Sequence, residues 1–193
     1  MTQSKKINTP TKQIKLKKTS NPKKTSNPKK TSNPKNTSKS KKQSNTISNT
    51  ITYTKIKPIR ESHIYGKLSF KDYPDFTPNL TPKEILQMGS FGGTYFRPIY
   101  SNITHKNYEN TYTEYPKDWY KNIDIIKYIT SNVCYPDVNT YKVSAGSSLK
   151  AWEESNWIRA QDPYGWFQWY CRFYLGRRSP DDERQISLSL IHI

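Results

Sequence analysis

Acidic residues are missing from the first 57 positions of this 193-residue chain, which hold 16 lysines and no Arg, Asp or Glu. Their side chains sum to +16. Residues 58–193 carry the other 16 basic groups and all 15 acidic ones, so they sum to +1. The net charge of +17 therefore describes one end of the chain and not the whole. Long apolar runs are also lacking. None approaches the roughly 20 residues of a bilayer-spanning helix. The basic N-terminus has no apolar stretch of about 7–15 residues, so it does not read as a secretory signal. Cysteine is scarce. Cys134 and Cys171 give neither a disulfide framework nor a metal-ligand spacing, and they read as free thiols in a reducing compartment. No zinc spacing, dinucleotide fingerprint or nucleophile–base pair is present, so the sequence supports neither a metal nor a cofactor, and an enzyme assignment lacks support.

What the first segment does contain is repetition. Three copies of Lys-Lys-Thr-Ser-Asn-Pro run from Lys17 to Pro34, and a decayed fourth begins at Lys35. Each unit has no apolar face to stack, and Pro22, Pro28 and Pro34 forbid a continuous helix. With nothing to bury, residues 1–57 read as a disordered, lysine-rich arm. Paired lysines on an extended chain (Lys17, Lys18, Lys23, Lys24, Lys29, Lys30) suit nucleic acid or another polyanion, bound by counterion release without sequence readout. A nuclear-import signal, contact with an anionic membrane surface, or a solvated linker are the competing readings.

Aromatics divide the other way. Of 26 Phe, Trp and Tyr residues only Tyr53 lies in the arm, and all five tryptophans fall between Trp119 and Trp169. Residues 58–193 can therefore build a core from rings, and they are expected to form one α+β domain with a helix-rich C-terminal third. Thr81-Pro82-Lys83-Glu84 predicts a capped helix start, ended by Gly89. Tyr95–Tyr100 reads as a strand, with the Gly-rich loop before it a tight turn. Lys117–Tyr120 reads as a helical turn and Thr140–Val143 as a short strand. Ser147 is expected to cap a helix through Glu153. Asp162-Pro163 is expected to open a buried aromatic helix that Gly176 ends, and Ser179-Pro180-Asp181-Asp182 to start another.

The densest polar cluster is Asp162, Gln168, Arg172, Arg177, Arg178, Asp181, Asp182 and Arg184. Three readings compete for it. One is an ion-pair and capping network between helices. Another is a basic, ring-lined nucleic-acid surface that uses Arg172, Arg177 and Arg178 for phosphates. The third is an acid/base or small-ligand site on Asp162, Gln168, Arg172, Asp181, Asp182 and Arg184. Asp181 and Asp182 are sequential, so on a helix they diverge by roughly 100°, which weakens a shared-proton pair.

Two stretches, Gly89-Ser90-Phe91-Gly92-Gly93-Thr94-Tyr95-Phe96-Arg97-Pro98-Ile99 and Asp162-Pro163-Tyr164-Gly165-Trp166-Phe167-Gln168-Trp169-Tyr170-Cys171-Arg172-Phe173-Tyr174-Leu175-Gly176-Arg177-Arg178, the latter followed by Asp181-Asp182-Glu183-Arg184-Gln185-Ile186, carry a family resemblance. Together they resemble an uncharacterised family of large DNA viruses, fungi and other microbial eukaryotes. The resemblance covers roughly residues 80–186. It implies a single domain and an intracellular setting (host cytoplasm, nucleus or virion), and it implies no catalytic residues. Members of that family continue past the Arg-Gln-Ile with Arg-Trp and a basic segment. Here Ser187–Ile193 follows instead, the pattern expected of a shifted or truncated end. The overall expectation is a non-enzymatic, nucleic-acid-associated accessory protein. The alternatives are an enzyme or small-ligand binder using the Asp162–Arg184 region, and a structural interaction protein.

Overall fold

The computed structural model describes residues 50–62, 66–144 and 147–191. The repeats, and with them residues 1–49 of the expected arm, lie outside the described residues. Residues 50–57 do not behave as arm. Thr52–Tyr53 form strand β1, which pairs antiparallel with β6, Arg177–Arg178, and Thr54 N–H donates to the Gly176 carbonyl. The folded edge therefore begins before position 58. The physical reason is long-range ladder bonding, which a two-residue strand does not announce in its own composition.

In chain order β1 is followed by β2 (Ile59–Arg60), β3 (Leu68–Ser69), α1 (Pro82–Gln87), β4 (Ile99–Ser101) and β5 (Lys106–Tyr108). Two single-turn 3-10 helices follow, Thr111–Glu114 and Lys117–Tyr120. Next come α2 (Ile125–Tyr128), α3 (Leu149–Glu154), α4 (Trp166–Tyr174), β6 and α5 (Asp182–Ile191). The strands pair only as antiparallel couples, β1 with β6, β2 with β3 and β4 with β5. The fold is α+β, as expected.

Local chemistry explains the helix starts. Thr81 Oγ1 accepts from the Glu84 N–H at 3.2 Å while the Glu84 carboxylate accepts from the Thr81 N–H at 2.7 Å, a complete capping box with Pro82 at the first helical position. Lys117–Tyr120 is the helical turn expected after Pro116. Other elements moved. Tyr95–Pro98 are turn residues, and the strand begins only at Ile99. Thr140–Val143 is no strand, because Lys142 sits at φ 53° in the left-handed region. Ser148, not Ser147, caps α3 by accepting from the Ala151 N–H. Asp162–Gly165 form a turn closed by Gly165 N–H to the Asp162 carbonyl at 2.8 Å, so α4 starts at Trp166 and not at the proline. Gly165 precedes it at φ 86°, a conformation that L side chains rarely adopt.

α4 is the centre of the domain. Phe167, Gln168, Trp169, Tyr170, Cys171 and Phe173 are all buried, which accounts for a helix apolar on more than one face. Rings from distant segments pack on it: Phe76 against Trp169, Tyr170 and Phe173, and Tyr95 edge-on to Phe167 at 4.9 Å. Such pairs add about 0.5–1.5 kcal/mol each beyond burial. The Gly-rich loop delivers Tyr95 and Phe96 to this core. Gly93 holds φ 85°, and a Cβ there would collide with the Lys127 carbonyl oxygen. The loop is thus a tight turn pressed against backbone, as its glycines suggested.

Candidate functional site

Asp162 lies at the corner of the turn before α4 and is wholly buried. Arg177 on β6 grips it bidentately, Nη1 to Oδ1 at 2.8 Å and Nη2 to Oδ2 at 2.6 Å. Arg172, near the end of α4, donates to Asp162 Oδ1 at 3.0 Å, to the Gln161 carbonyl, and through Nε and Nη2 to both Glu114 oxygens at 2.6 Å. Burial disfavours the charge on Arg172, but the hydrogen bonds it donates to Glu114 outweigh that and hold this guanidinium above its ordinary value. The node is one carboxylate shared by two guanidiniums, one of them only 3% exposed.

The neighbouring acids are also committed. Asp182 is buried and accepts from Trp169 Nε1 at 2.8 Å, Ser179 N–H at 2.9 Å and Ser179 Oγ at 2.7 Å. It both starts α5 and ties it to the central helix. Asp181 receives Arg184 through Nε and Nη2 at 2.5 and 2.7 Å, and Gln185 Nε2 at 2.8 Å. The two acids therefore face different partners, as sequential helix positions should. Arg178 donates to both Asp72 oxygens and stacks 3.9 Å over the Phe173 ring centroid. That hydrogen bonding holds the Asp72 carboxyl below its ordinary value of 3.8. Gln168 is buried and its Oε1 accepts from the Tyr164 N–H at 3.0 Å. The structure thus joins Asp162, Arg172 and Arg177 in one node and Asp181 with Arg184 in another pair, while Arg178 goes to Asp72, and Asp182 and Gln168 bond to uncharged groups. Lys17, Lys18, Lys23, Lys24, Lys29 and Lys30 lie outside the described residues.

A second place was not singled out by the cluster. A cleft of about 310 Å³ opens where the two motifs meet, lined by Phe91, Thr94, Tyr95, Arg97, Asn132, Cys134, Ser144, Ser147, Ser148, Trp152 and Tyr164 among others. The motifs are stitched there by three bonds. Tyr95 Oη donates to the Tyr164 carbonyl at 2.7 Å and accepts from the Gln168 N–H at 2.8 Å, and Tyr164 Oη donates to the Arg97 carbonyl at 2.8 Å. Arg97 makes one side-chain bond, Nη1 to the Thr94 carbonyl at 3.0 Å. The other six arginines pair with carboxylates, and Arg97 alone among the described residues does not. The signal was in the sequence: no Asp or Glu occurs between Glu84 and Glu109.

Trp152 also borders an apolar groove of about 390 Å³, whose walls include Trp157, Ile158, Trp166 and Leu188. Trp157 is 45% exposed. The two thiols differ: Cys134 is exposed, and Cys171 is buried with its thiol pushed well up by desolvation, which keeps it inert. Among the described residues no helix is long and apolar enough to cross a membrane, and no group of three His, Cys, Asp or Glu could hold a metal ion. No family model, no curated protein and no solved structure matches the chain.

Proposed function

We propose that the protein is a nucleic-acid-associated accessory protein in which attachment and contact are divided between two regions. The lysine arm supplies sequence-independent affinity for phosphate backbones. The folded domain supplies ring contacts, to bases or to a partner, from the groove around Trp152, Trp157 and Trp166. A virus-associated, intracellular setting rests on the motif resemblance alone.

One observation carries the reading. The domain's Arg172, Arg177 and Arg178 are already bound by Asp162, Glu114 and Asp72, while 14 of the 16 lysines before position 58 lie between Lys5 and Lys42, at least 19 residues from the first acid, Glu61. A guanidinium held bidentately by a carboxylate has little charge left for a phosphate. Free cations release counterions from a polyanion, and paired ones do not. The same geometry weighs against the enzyme alternative, because Asp162 and Arg177 sit where no substrate reaches.

The test is binding of the full chain to single- and double-stranded DNA across a salt series. Each phosphate neutralised contributes roughly −0.9 to the slope of log K against log salt on duplex DNA. The reading expects a steep slope that collapses when the paired arm lysines are replaced by glutamine. Binding that survives that replacement, or a slope near zero, would overturn it.

A further inference from the structure

The cleft at the junction of the two motifs has its own chemistry. It holds one cation, Arg97, with no acid in its lining. A half-buried guanidinium lacking a carboxylate is the exception in this domain, where every other arginine has one. Five N–H donors are fixed on such a group, and among the described residues only one is used, by the Thr94 carbonyl. Its backbone is pinned by the Tyr164 phenol and its side chain by the Thr94 carbonyl, so the fork is held in place before anything binds.

The rest of the lining completes a donor set. Ser144 and Ser147 are exposed at the mouth, and Asn132 adds an amide. Ser148 uses its oxygen as an acceptor for the Ala151 N–H, which leaves its own O–H to give. The opposite character comes from rings: Phe91, Tyr95, Trp152 and Tyr164. The volume falls within the range of about 300–1,000 Å³ typical of small-ligand pockets, which likewise combine mostly apolar walls with a few converging polar groups.

We propose that this cleft binds a phosphate monoester carried on a planar ring, with Arg97 on the phosphate, the serine hydroxyls on its remaining oxygens and Trp152 against the ring. Several hydroxyl donors around one guanidinium match a group with three acceptor oxygens better than a carboxylate with two. Two sources share this chemistry: a free nucleoside monophosphate and the 5′-phosphorylated end of a nucleic-acid strand. The site stands on its own geometry and does not need the arm.

The experiment titrates the full chain with adenosine 5′-monophosphate, adenosine and inorganic phosphate by calorimetry, with the Trp152 indole N–H followed by NMR. A chain with its arm lysines replaced by glutamine is titrated in parallel. The monophosphate is expected to bind at least about tenfold more tightly than either fragment, with Kd below about 1 mM. It is expected to bind both chains alike and to shift the Trp152 signal. Arg97→Gln should lose at least tenfold. Ser147→Asp, at an exposed position, should do the same by setting a negative charge at the mouth. A 5′-phosphorylated oligonucleotide that outcompetes the monophosphate, where its unphosphorylated twin does not, identifies the strand end as the source; otherwise the free nucleotide is the source. No binding at about 10 mM, or equal binding by the parent and both variants, would overturn the assignment. Binding lost only with the arm lysines would overturn it too, while leaving the arm reading intact.

Discussion

The Asp162 node lies in the second motif and the Arg97 cleft where the two motifs meet, and they treat arginine in opposite ways. Around Asp162 each guanidinium meets a carboxylate, two of them on the same one, and Asp162 and Arg177 are buried. In the cleft a guanidinium of equal charge meets one carbonyl, and the lining around it holds hydroxyls and no carboxylate. The first arrangement fixes the fold, because breaking a buried pair leaves an uncompensated charge. The second leaves interaction energy unused until an anion arrives. Residue type alone does not decide what an arginine does. The supply of acid within reach decides it.

Substitutions break or sharpen that contrast. The largest effect is expected for Asp162→Asn, which strands the buried Arg177 and leaves Arg172 to Glu114 alone. Removing one partner of a buried pair costs about 3–5 kcal/mol, read as the shift in the urea midpoint. A change below about 1 kcal/mol would show that the node does not hold the fold. Gly93→Ala comes next. It forces a side chain into the left-handed region and onto the Lys127 carbonyl, and a loss of roughly 1–3 kcal/mol should follow, measured by thermal unfolding. Arg97→Gln should cost about 1 kcal/mol or less, since one hydrogen bond is at stake. A loss as large as that of Asp162→Asn would erase the distinction between the two places.

Acid gives a smaller and more graded effect. The folded-state carboxyl of Asp72 lies below its ordinary value of 3.8, chiefly through the Arg178 hydrogen bonds. Glu84 lies below 4.5: burial opposes this, but the bonds from Thr81 and from Arg60 prevail. A depressed carboxyl stabilises the fold above its unfolded value, and that contribution disappears as pH falls through the lower folded value. Unfolding midpoints should therefore drop below about pH 4, and Asp72→Asn should flatten part of that drop. At neutral pH the same substitution should cost no more than about 1 kcal/mol, because the pair is partly solvated. A pH profile unchanged by Asp72→Asn would show that the pair is too well screened to matter.

Much of the helical framework was legible, and for identifiable reasons. Capping is local, so Thr81–Glu84 announced α1, and ring density announced the burial of α4. The polar cluster could be listed from sequence, but its internal pairing could not be seen, because Glu114 and Asp72 arrive from far along the chain. Strands of two or three residues carry no period, which is why Tyr95–Pro98 read as strand and Thr52–Tyr53 as arm. The Arg97 cleft carries no density of charge to mark it in the sequence. Its mark was a stretch with charge of one sign missing.

The pairing of Thr52–Tyr53 with Arg177–Arg178 has a mechanical meaning. The lysine-rich segment enters the domain through these rungs and the Thr54 bond to Gly176. Tension applied from the N-terminal side would load this short ladder first, and one of its rungs is Arg177, the arginine that clasps Asp162. A pull on Thr52–Thr54 would thus strain the join beside the most tightly locked part of the molecule. That join is a site where a pull on one end could be felt at the other.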